Sequence, residues 1–544
     1  MGTKNSSRFT PLIIAISVVA GILIGTFYAK HFAGNRLGII NGSSNKLNAL
    51  LRVVDDQYVD SVNMTDLVEK AMPQILAELD PHSTYIPAQK LEEVNSELEG
   101  SFSGIGIQFS ILNDTITVVA VVPGGPSEKI GLMPGDRIVE VDDTAFVGKE
   151  VISNDKVLKK LRGPKGSKVK LGVLRTTAPE MLTYEVTRND IPVNSVDVAF
   201  MVNDEIGYIK INKFGRTTYS EFMNGLAKLK NDNAQKYIVD LRGNSGGILD
   251  IAINMINEFL PKGQLIVYTE GKAFPRSEAI SNGSGAFKEA QIVVLIDEWS
   301  ASASEIFAGA IQDNDRGIII GRRSFGKGLV QNQLPFADGS AIRLTIARYY
   351  TPSGRSIQKE YELGHGDDYE KDILNRFMHG EFDHPDSIKQ NDTLMYKTRL
   401  GRTVYGGGGI MPDIFVPRDT IGVTPYLNEV VNKGLLYQFA FKYADEKREL
   451  LSQYKDYKSL QQFLRRQPLL QEFTAFAASH EVQRKPKEIK ESAVLLNNYI
   501  ESYIARNIIG DNAFYPIFLQ EDKTFQKALD VLNANQGFPQ APDK

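Results

Sequence analysis

Four short apolar runs beyond residue 190 constrain the fold of this chain more strongly than any other feature. They read IGYIKI, KYIVDLR, QIVVLID and RGIIIG, and segments with helical spacing lie at residues 219–231, 248–259 and 304–312. Strands that alternate with helices in this way form βαβ units, whose strands run parallel. The sequence therefore predicts an α/β domain built on a largely parallel sheet.

Residues 102–188 have a different pattern, with short β-rich runs separated by turn signals. Gly104 and Gly106 precede a strand, and glycines there let the backbone present successive N–H groups to an anion such as a peptide carboxylate. An ordinary hairpin turn would account for the glycines alone. With VPGGPS and GLMPGDRI further on, however, residues 97–189 resemble a PDZ domain of the circularly permuted type of bacterial proteases.

The PDZ resemblance implies a binding site for an extended chain end. Gly104, Ile105, Gly106 and Ile107 would hold the terminal carboxylate, and main-chain hydrogen bonds would hold the residues before it. A pocket would accept an apolar last side chain. The expected partners are protein substrates with exposed, apolar C-terminal tails.

The ends of the chain carry apolar and helical patterns. Residues 11–28 are uncharged and apolar with Lys4 and Arg8 before them, which predicts a membrane anchor whose N-terminal end faces the cytoplasm. A cleaved signal peptide is the alternative. Helical spacing at residues 45–79 predicts a small helical module, and amphipathic stretches from residue 425 onward predict a separate helical domain.

These patterns predict a multidomain α+β protein. Its expected parts are a cytoplasmic tip with the anchor (1–40), a helical module (41–96), a PDZ domain (97–189), an α/β domain (190–420) and a C-terminal helical domain (421–544). A polar and acidic stretch at about residues 364–396 interrupts the α/β domain. We expect it to be an exposed insertion.

Composition excludes several kinds of chemistry. The chain of 544 residues has no cysteine, which excludes disulfides, thiolate nucleophiles, Cys-ligated zinc and iron–sulfur clusters. Its six histidines are scattered without an HExxH motif, so no metal or other cofactor is predicted. With 62 Lys and Arg against 66 Asp and Glu, and no basic run, nucleic-acid binding is not expected. Catalysis would depend on Ser, Thr, Lys, Asp, Glu or Tyr.

Ser302 is a candidate nucleophile. It lies in SASASEI, between the apolar strand at residues 292–297 and a helix. A serine at such a turn is exposed at the C-terminal edge of the sheet, beside free helix N–H groups that can stabilise an oxyanion. However, Ser302 and Glu305 also form a capping-box pattern, which in most proteins only starts a helix.

Lys327 is a candidate base. It lies between two glycines in RRSFGKGLVQ, after the strand at residues 317–321. Because no histidine lies in these segments, a serine nucleophile would need another base, and a desolvated lysine can serve once its pKa is lowered. A solvated surface lysine is the alternative. Gly328 follows the lysine, so the GxxxxGK[ST] phosphate-binding loop is absent.

Together these segments resemble the C-terminal processing peptidases, also called tail-specific proteases. The family's motifs are matched in order by LDPHS, DLRGNSGG, SASASEI, FGKGLVQ, ARYYTPSGR and GGGGIMPD. The resemblance covers about residues 47–417. It implies a serine endopeptidase with a crotonase/ClpP-like α/β core.

The resemblance also implies a role for individual residues. Ser302 would be the nucleophile, Lys327 the general base and Gln331 the residue that orients the lysine. Backbone N–H groups of Ala303 and Gly247 would form the oxyanion hole, with the glycine before Gly247 as an alternative donor.

Other matching residues carry weaker expectations. Family members are known as switchable proteases, so PDZ docking could gate the site through Arg137, for which an ordinary exposed charge is the alternative. His82 is expected to be a structural hydrogen-bonding residue. Arg242 is expected to pair with Asp240 or to cap a helix.

The expected location is the bacterial cell envelope, anchored in the inner membrane with the catalytic domains in the periplasm. A soluble periplasmic protein with a cleaved signal is the alternative. The C-terminal helices could mediate homo-oligomerisation, substrate capture or contact with an adaptor protein. The alternative to a protease is a catalytically silent PDZ-containing scaffold on the same fold.

Overall fold

The computed structural model describes residues 18–21, 42–112, 114–149, 151–175, 178–389 and 391–540. The chain divides into two units, Met1–Leu76 and Ala77–Lys544. Residues 18–21 are helical, and the helices Gly42–Gln57 (α1) and Met64–Ala77 (α2) correspond to the predicted helical spacing. Within the described ranges no helix is long and apolar enough to cross a bilayer. Apart from residues 18–21, the predicted anchor lies outside the described residues.

The β-rich part of the second unit forms an antiparallel sheet. Its strands follow the order β3-β4-β5-β7-β8, with β6 beside β5, and β3 has no outer neighbour among the described strands. Alternate residues such as Ile116, Val118 and Ile138 are buried in one apolar core. The elements of this part are Thr84–Ile86 (β1), Ala88–Glu99 (α3), Ser101–Gly104 (β2), Ile107–Leu112 (β3), Thr115–Val121 (β4), Pro126–Lys129 (α4), Arg137–Val141 (β5), Thr144–Ala145 (β6), Asn154–Leu161 (α5), Lys168–Leu174 (β7), Leu182–Thr187 (β8) and Asn189–Pro192 (β9).

The next part contains the predicted parallel sheet. Its elements are Val196–Met201 (β10), Ile206–Ile211 (β11), Thr218–Asn231 (α6), Lys236–Asp240 (β12), Leu249–Asn257 (α7), Leu265–Glu270 (β13), Ser277–Ile280 (β14), Gln291–Ile296 (β15), Ala303–Asp313 (α8), Ile318–Gly321 (β16), Leu329–Pro335 (β17), Ala341–Tyr350 (β18), Gly366–Met378 (α9), Met395–Lys397 (β19), Thr403–Tyr405 (β20) and Ile414–Phe415 (β21). The main sheet has the order β10-β11-β12-β15-β16-β21. All neighbours in it are parallel except β10 and β11, which confirms the prediction. β1, β18, β13, β14 and β17 form a second, antiparallel sheet.

Helices follow to the end of the described chain. They are Pro425–Asn432 (α10), Leu435–Glu446 (α11), Arg448–Leu451 (α12), Tyr457–Leu464 (α13), Leu469–Ser479 (α14), Pro486–Glu491 (α15), Ala493–Ile508 (α16), Asp511–Phe518 (α17) and Lys523–Ala534 (α18). Short 3₁₀ helices occur at Pro385–Ser387, Asp392–Leu394 and Leu519–Glu521. α10 to α14 share an apolar core with α16 and α17.

α18 belongs to the parallel sheet rather than to the other C-terminal helices. α6, α7 and α8 cover one face of the main sheet. On the opposite face Phe525 and Leu532 of α18 pack against Tyr208 and Ile238 of the strands. The prediction of a separate helical domain was therefore wrong for the last helix, because a parallel sheet needs apolar cover on both faces.

The polar segment at residues 364–396 is not simply an exposed insertion. Tyr369 is 6% exposed, and Arg376 and Glu381 are each 5% exposed. Glu381 pairs at 2.6 Å with Arg323, in the loop before Lys327. The prediction was wrong here because charges that suggested contact with water are instead paired with the core.

Candidate active site

Ser302 lies in a tight turn between β15 and α8. Its φ of 55° and ψ of −115° fall in a region that residues other than glycine rarely adopt. The helix begins at the next residue, Ala303. A strained strand-to-helix turn of this kind presents a side chain at the C-terminal edge of a parallel sheet.

The carboxylate of Glu305 joins the serine turn to the lysine loop. The side chain is fully buried and accepts hydrogen bonds from the N–H groups of Ser302, Gly326 and Lys327 at 2.8, 2.7 and 2.8 Å. The hydroxyl of Ser324 donates to it at 2.5 Å. Burial raises the pKa of Glu305 to about 7, although these hydrogen bonds oppose the rise. The capping pattern predicted the bond to Ser302 but gave no sign of the others.

Lys327 is partly buried in the loop between β16 and β17. Its Nζ donates to Oε1 of Gln331, on β17, at 3.1 Å. Burial lowers the pKa of Lys327 and the charge of Arg343 lowers it further, while Glu305 and Asp80 raise it. A lowered pKa increases the fraction of neutral amine, which is the form that can accept a proton.

The LDPHS segment reaches the same site through the main chain of His82. The His82 carbonyl accepts a hydrogen bond from Nε2 of Gln331, so the amide oxygen of Gln331 is directed to Lys327. Asp80 fixes this turn by accepting from the His82 N–H at 2.9 Å and from the Thr345 hydroxyl on β18 at 3.0 Å. Burial, followed by the charge of Lys327, lowers the pKa of His82 to about 4.

Tyr349, on β18, contacts both segments and was not singled out from the sequence. Its hydroxyl lies within hydrogen-bond distance of the carbonyls of Ser302, at 3.1 Å, and of Lys327. In the sequence it is one residue of the ARYYTPSGR motif, and nothing there indicates its contacts. Its contact depends on the pairing of β17 with β18, which sequence patterns do not specify.

Two N–H groups beside Ser302 have no acceptor among the described residues. One belongs to Ala303, at the start of α8, and the other to Gly247. The alternative donor, Gly246, already donates to Oδ1 of Asn244 at 2.8 Å. A Cβ at Gly246 would lie 2.7 Å from Cβ of Ser302, so this close approach requires glycine. The geometry therefore favours Ala303 and Gly247 as the pair of donors.

Arg242 supports the loop that precedes these glycines. It pairs with buried Asp240 at 2.6 Å, as expected, and also with Asp522 of the C-terminal region at 2.7 Å. Burial raises the pKa of Asp240, but the charges of Arg242 and Lys210 hold it below its ordinary value. The contact with Asp522 was not predicted, because the two residues are far apart in sequence.

The predicted carboxylate-binding residues form a turn beside the open edge of β3. Gly104 ends β2, Ile107 begins β3, and Gly106 has a φ of 77°. Within the described chain the N–H groups of Ile105 and Gly106 have no acceptor. The Ile105 carbonyl is held by the Ser127 hydroxyl at 2.6 Å. The turn therefore offers free donors at the end of an open strand edge.

Arg137 faces the C-terminal helices in this structure. It is exposed and lines a cavity of about 1170 Å³ between the PGDR turn and α11. Beside it, Gly135 lies against the carboxylate of Asp445 on α11. Among the described residues, no hydrogen bond or ion pair joins Arg137 to Ser302 or Lys327. The contact of Arg137 with the protease core, expected from the sequence, stays a prediction.

Known protein families match the parts just described. The profile of peptidase family S41 matches residues 205–370, and that of the PDZ domain matches residues 103–187. A family of unknown function matches residues 426–510. The chain is thus a mixed α+β, PDZ-containing peptidase with a helical C-terminal region.

Individual relatives show which group of family S41 the chain resembles. A carboxy-terminal-processing protease of Bartonella bacilliformis is 36% identical over 329 residues, which cover 58% of this chain and 74% of the relative. A probable CtpA-like serine protease of Staphylococcus aureus is 33% identical over 359 residues, or 64% and 70% of the two chains. The solved structure of a photosystem II D1 C-terminal processing protease is 28% identical with a TM-score of 0.34, covering 59% of this chain and 91% of that one. The chain belongs to the carboxy-terminal-processing proteases of peptidase family S41, and it is a serine-type peptidase.

Proposed function

We propose that the protein is an endopeptidase that uses a Ser302–Lys327 dyad to cleave proteins selected by their C-terminal tails. The buried carboxylate of Glu305 is the observation that carries this proposal. It binds the backbone N–H groups of both residues and so holds two loops from different parts of the chain side by side.

The chemistry follows from the polar groups around Ser302. As its Oγ attacks the scissile carbonyl, its proton passes to the neutral amine of Lys327. The N–H groups of Ala303 and Gly247 stabilise the oxyanion. Lys327 then gives the proton to the leaving amine, and a water molecule hydrolyses the acyl-enzyme. Gln331 keeps the lysine amine oriented throughout.

The PDZ domain would select the substrate. A tail would add to the open edge of β3, with its carboxylate on the turn of Gly104, Ile105, Gly106 and Ile107. We assign the peptidase domain to the crotonase/ClpP-like folds on the resemblance of its motifs. Gating through Arg137 is part of the proposal.

The place of the enzyme in the cell is also a proposal. The apolar stretch at residues 11–28 supports an inner-membrane anchor with the remaining domains in the periplasm. The C-terminal helices are the part of the chain that we propose for oligomerisation or for contact with an adaptor protein. Fractionation of cells that express the full chain, with protease protection, tests the orientation.

Cleavage of an unstructured protein by the full chain in mild detergent tests the dyad. We expect Ser302→Ala and Lys327→Ala to lose activity by about 10³-fold or more. Cleavage that persists unchanged in both variants would exclude the dyad. The silent-scaffold alternative would be favoured if the wild-type chain bound apolar-tailed peptides but cleaved neither them nor an unstructured protein.

A further inference from the structure

We propose that Tyr369 is a positioning residue for the Lys327 amine. It acts through two intermediates, His82 and Gln331, and belongs to the polar segment whose composition suggested only an exposed insertion. The inference rests on the proposed role of Lys327 as general base and assigns part of the control of that base to α9.

The first contact joins Tyr369 to the ring of His82. The Tyr369 hydroxyl lies 2.9 Å from Nε2 of His82, and the two rings meet edge to face with centroids 4.9 Å apart. Tyr369 is only 6% exposed, so water competes little for this hydrogen bond. The ring of His82 is therefore held from the side of α9.

The second contact joins His82 to the lysine. The carbonyl of His82 accepts from the amide of Gln331, whose oxygen accepts from Lys327 Nζ at 3.1 Å. The ring and the carbonyl of His82 belong to one turn that Asp80 fixes at the His82 N–H. Because the ring and the carbonyl share the Cα of His82, a ring anchored by Tyr369 limits how far the main chain of His82 can move, and with it the carbonyl that holds Gln331.

α9 is itself fixed to the loop that carries the lysine. Arg376 donates to the carbonyls of Ser324 and Arg323 at 3.0 and 2.8 Å. The ring of Tyr369 meets that of Phe325 edge to face, with centroids 5.9 Å apart. Arg376 and Tyr369 thus restrict the movement of α9 relative to this loop at two points along the helix.

Tyr369 acts by position rather than by proton transfer. Burial raises its pKa above the ordinary value, so the hydroxyl stays protonated. The charged groups that act on Lys327 come from several other elements, namely Asp80 before β1, Glu305 on α8 and Arg343 on β18. Loss of the Tyr369 hydroxyl removes no charge from the site, so a changed lysine pKa would report a changed position or hydration.

Tyr369→Phe in the full chain tests the proposal, with Tyr361→Phe as the matched control. The ring of Tyr361 also contacts Tyr369, but its hydroxyl has no hydrogen bond in the described part of the chain. Peptide cleavage is followed as a function of pH to give kcat and KM. We expect Tyr369→Phe to lower kcat about tenfold with KM changed less than about twofold, because the proposal gives this residue a role in the chemical step alone.

The pH profile separates positioning from a structural role. A less restrained Lys327 amine is better hydrated, so its pKa rises and the acidic limb of kcat/KM moves to higher pH. Tyr361→Phe should retain the wild-type limb. A merely structural role would lower the melting temperature and the amount of active enzyme without moving the limb, which would overturn the proposal.

His82→Phe tests the contact between Tyr369 and His82 from the other side. It keeps the carbonyl but removes Nε2, so it should reproduce the effect of Tyr369→Phe. If the contacts act in series, the double variant will be no worse than the more impaired single variant. Additive losses, or an unchanged limb in both single variants, would overturn the proposal. If Lys327→Ala stayed active, the proposed function itself would fail, whereas inactive Lys327→Ala beside a normal Tyr369→Phe would refute only the positioning role.

Discussion

The proposed oxyanion donors and the proposed carboxylate-binding turn of the PDZ domain both consist of free N–H groups at or beside glycines, but the two regions are held in different ways. The carbonyl of Ile105 in the PDZ turn is fixed by Ser127, a neighbour in the same domain. The peptidase loops are fixed by Glu305, by Tyr349 and by the pair of Arg242 with a residue 280 positions away.

From this difference we expect separate tasks for the two regions. Donors held by buried, long-range contacts are preorganised, and preorganised donors are those that best stabilise a transition state. A turn held locally at a strand edge can adapt to different chain ends. Changes in the first region should therefore lower kcat, and changes in the second should raise KM.

Glu305→Ala should have the largest effect. It removes the acceptor of four hydrogen bonds, and each buried donor left unpaired costs about 1–3 kcal/mol. We expect kcat/KM to fall by about 10³-fold or more, together with a lower melting temperature. Glu298→Ala is the matched control. Glu298, like Glu305, follows β15 in the sequence, but it pairs with Arg322. Equal losses in the two variants would show that Glu305 has no special role.

Gly246→Ala should lower kcat by about 10²-fold, because the new Cβ pushes against the Ser302 turn and displaces the reacting atoms. The Cβ would lie 2.7 Å from Cβ of Ser302. Gly243→Ala is the control, since Gly243 also has a positive φ, of 70°, but nothing lies within 4 Å of its Cβ position. Steady-state kinetics of both variants decide the matter, and a similar kcat in the two would contradict close approach as the cause.

Gly106→Ala should affect the PDZ turn instead. At a φ of 77° alanine is strained, and its Cβ would lie 3.0 Å from the Ile191 side chain. We expect KM for apolar-tailed substrates to rise about fivefold, roughly 1 kcal/mol, with kcat unchanged. Gly124→Ala has a similar φ of 73° with open space around it and should bind tails normally. A fall in kcat for Gly106→Ala, with Gly124→Ala normal, would mean that the turn also acts on the chemical step, as the proposed gating through Arg137 allows.

The contrast between the regions also explains what the sequence could predict. The parallel sheet, the PDZ turn and the serine turn all depend on periodicity or on residues close in sequence, and all three were predicted. The contacts of Tyr349, Asp522 and Tyr369 depend on which strands and helices meet after folding. Local patterns carry no information about such pairings.

The same limit accounts for the two incorrect expectations. The acidic composition near residues 364–396 predicts exposure to solvent, because the partners of these residues, such as Arg323, lie in another segment. The last helix was assigned to a separate domain because its amphipathic pattern shows that one face is buried but not against what. In both cases the sequence shows which kinds of residue are present but not which segment of the chain they contact.

The smallest expected effect is on stability at mildly acidic pH. It tests whether the His82 ring is buried and held in place, as we expect for the peptidase region. The pKa of His82 is about 4 in the folded protein, against an ordinary 6.5, so between these values the unfolded chain binds the proton more tightly. Stability from His82 is therefore present above pH 6.5 and is lost as the pH falls towards 4. From pH 7 to pH 6 the loss should be about 0.7 kcal/mol by urea denaturation. His82→Phe should lack this contribution, and since Glu305 titrates in both proteins its opposite effect cancels in the difference. Identical slopes would mean that the His82 ring is accessible to solvent and that the turn at Gln331 is looser than the geometry indicates.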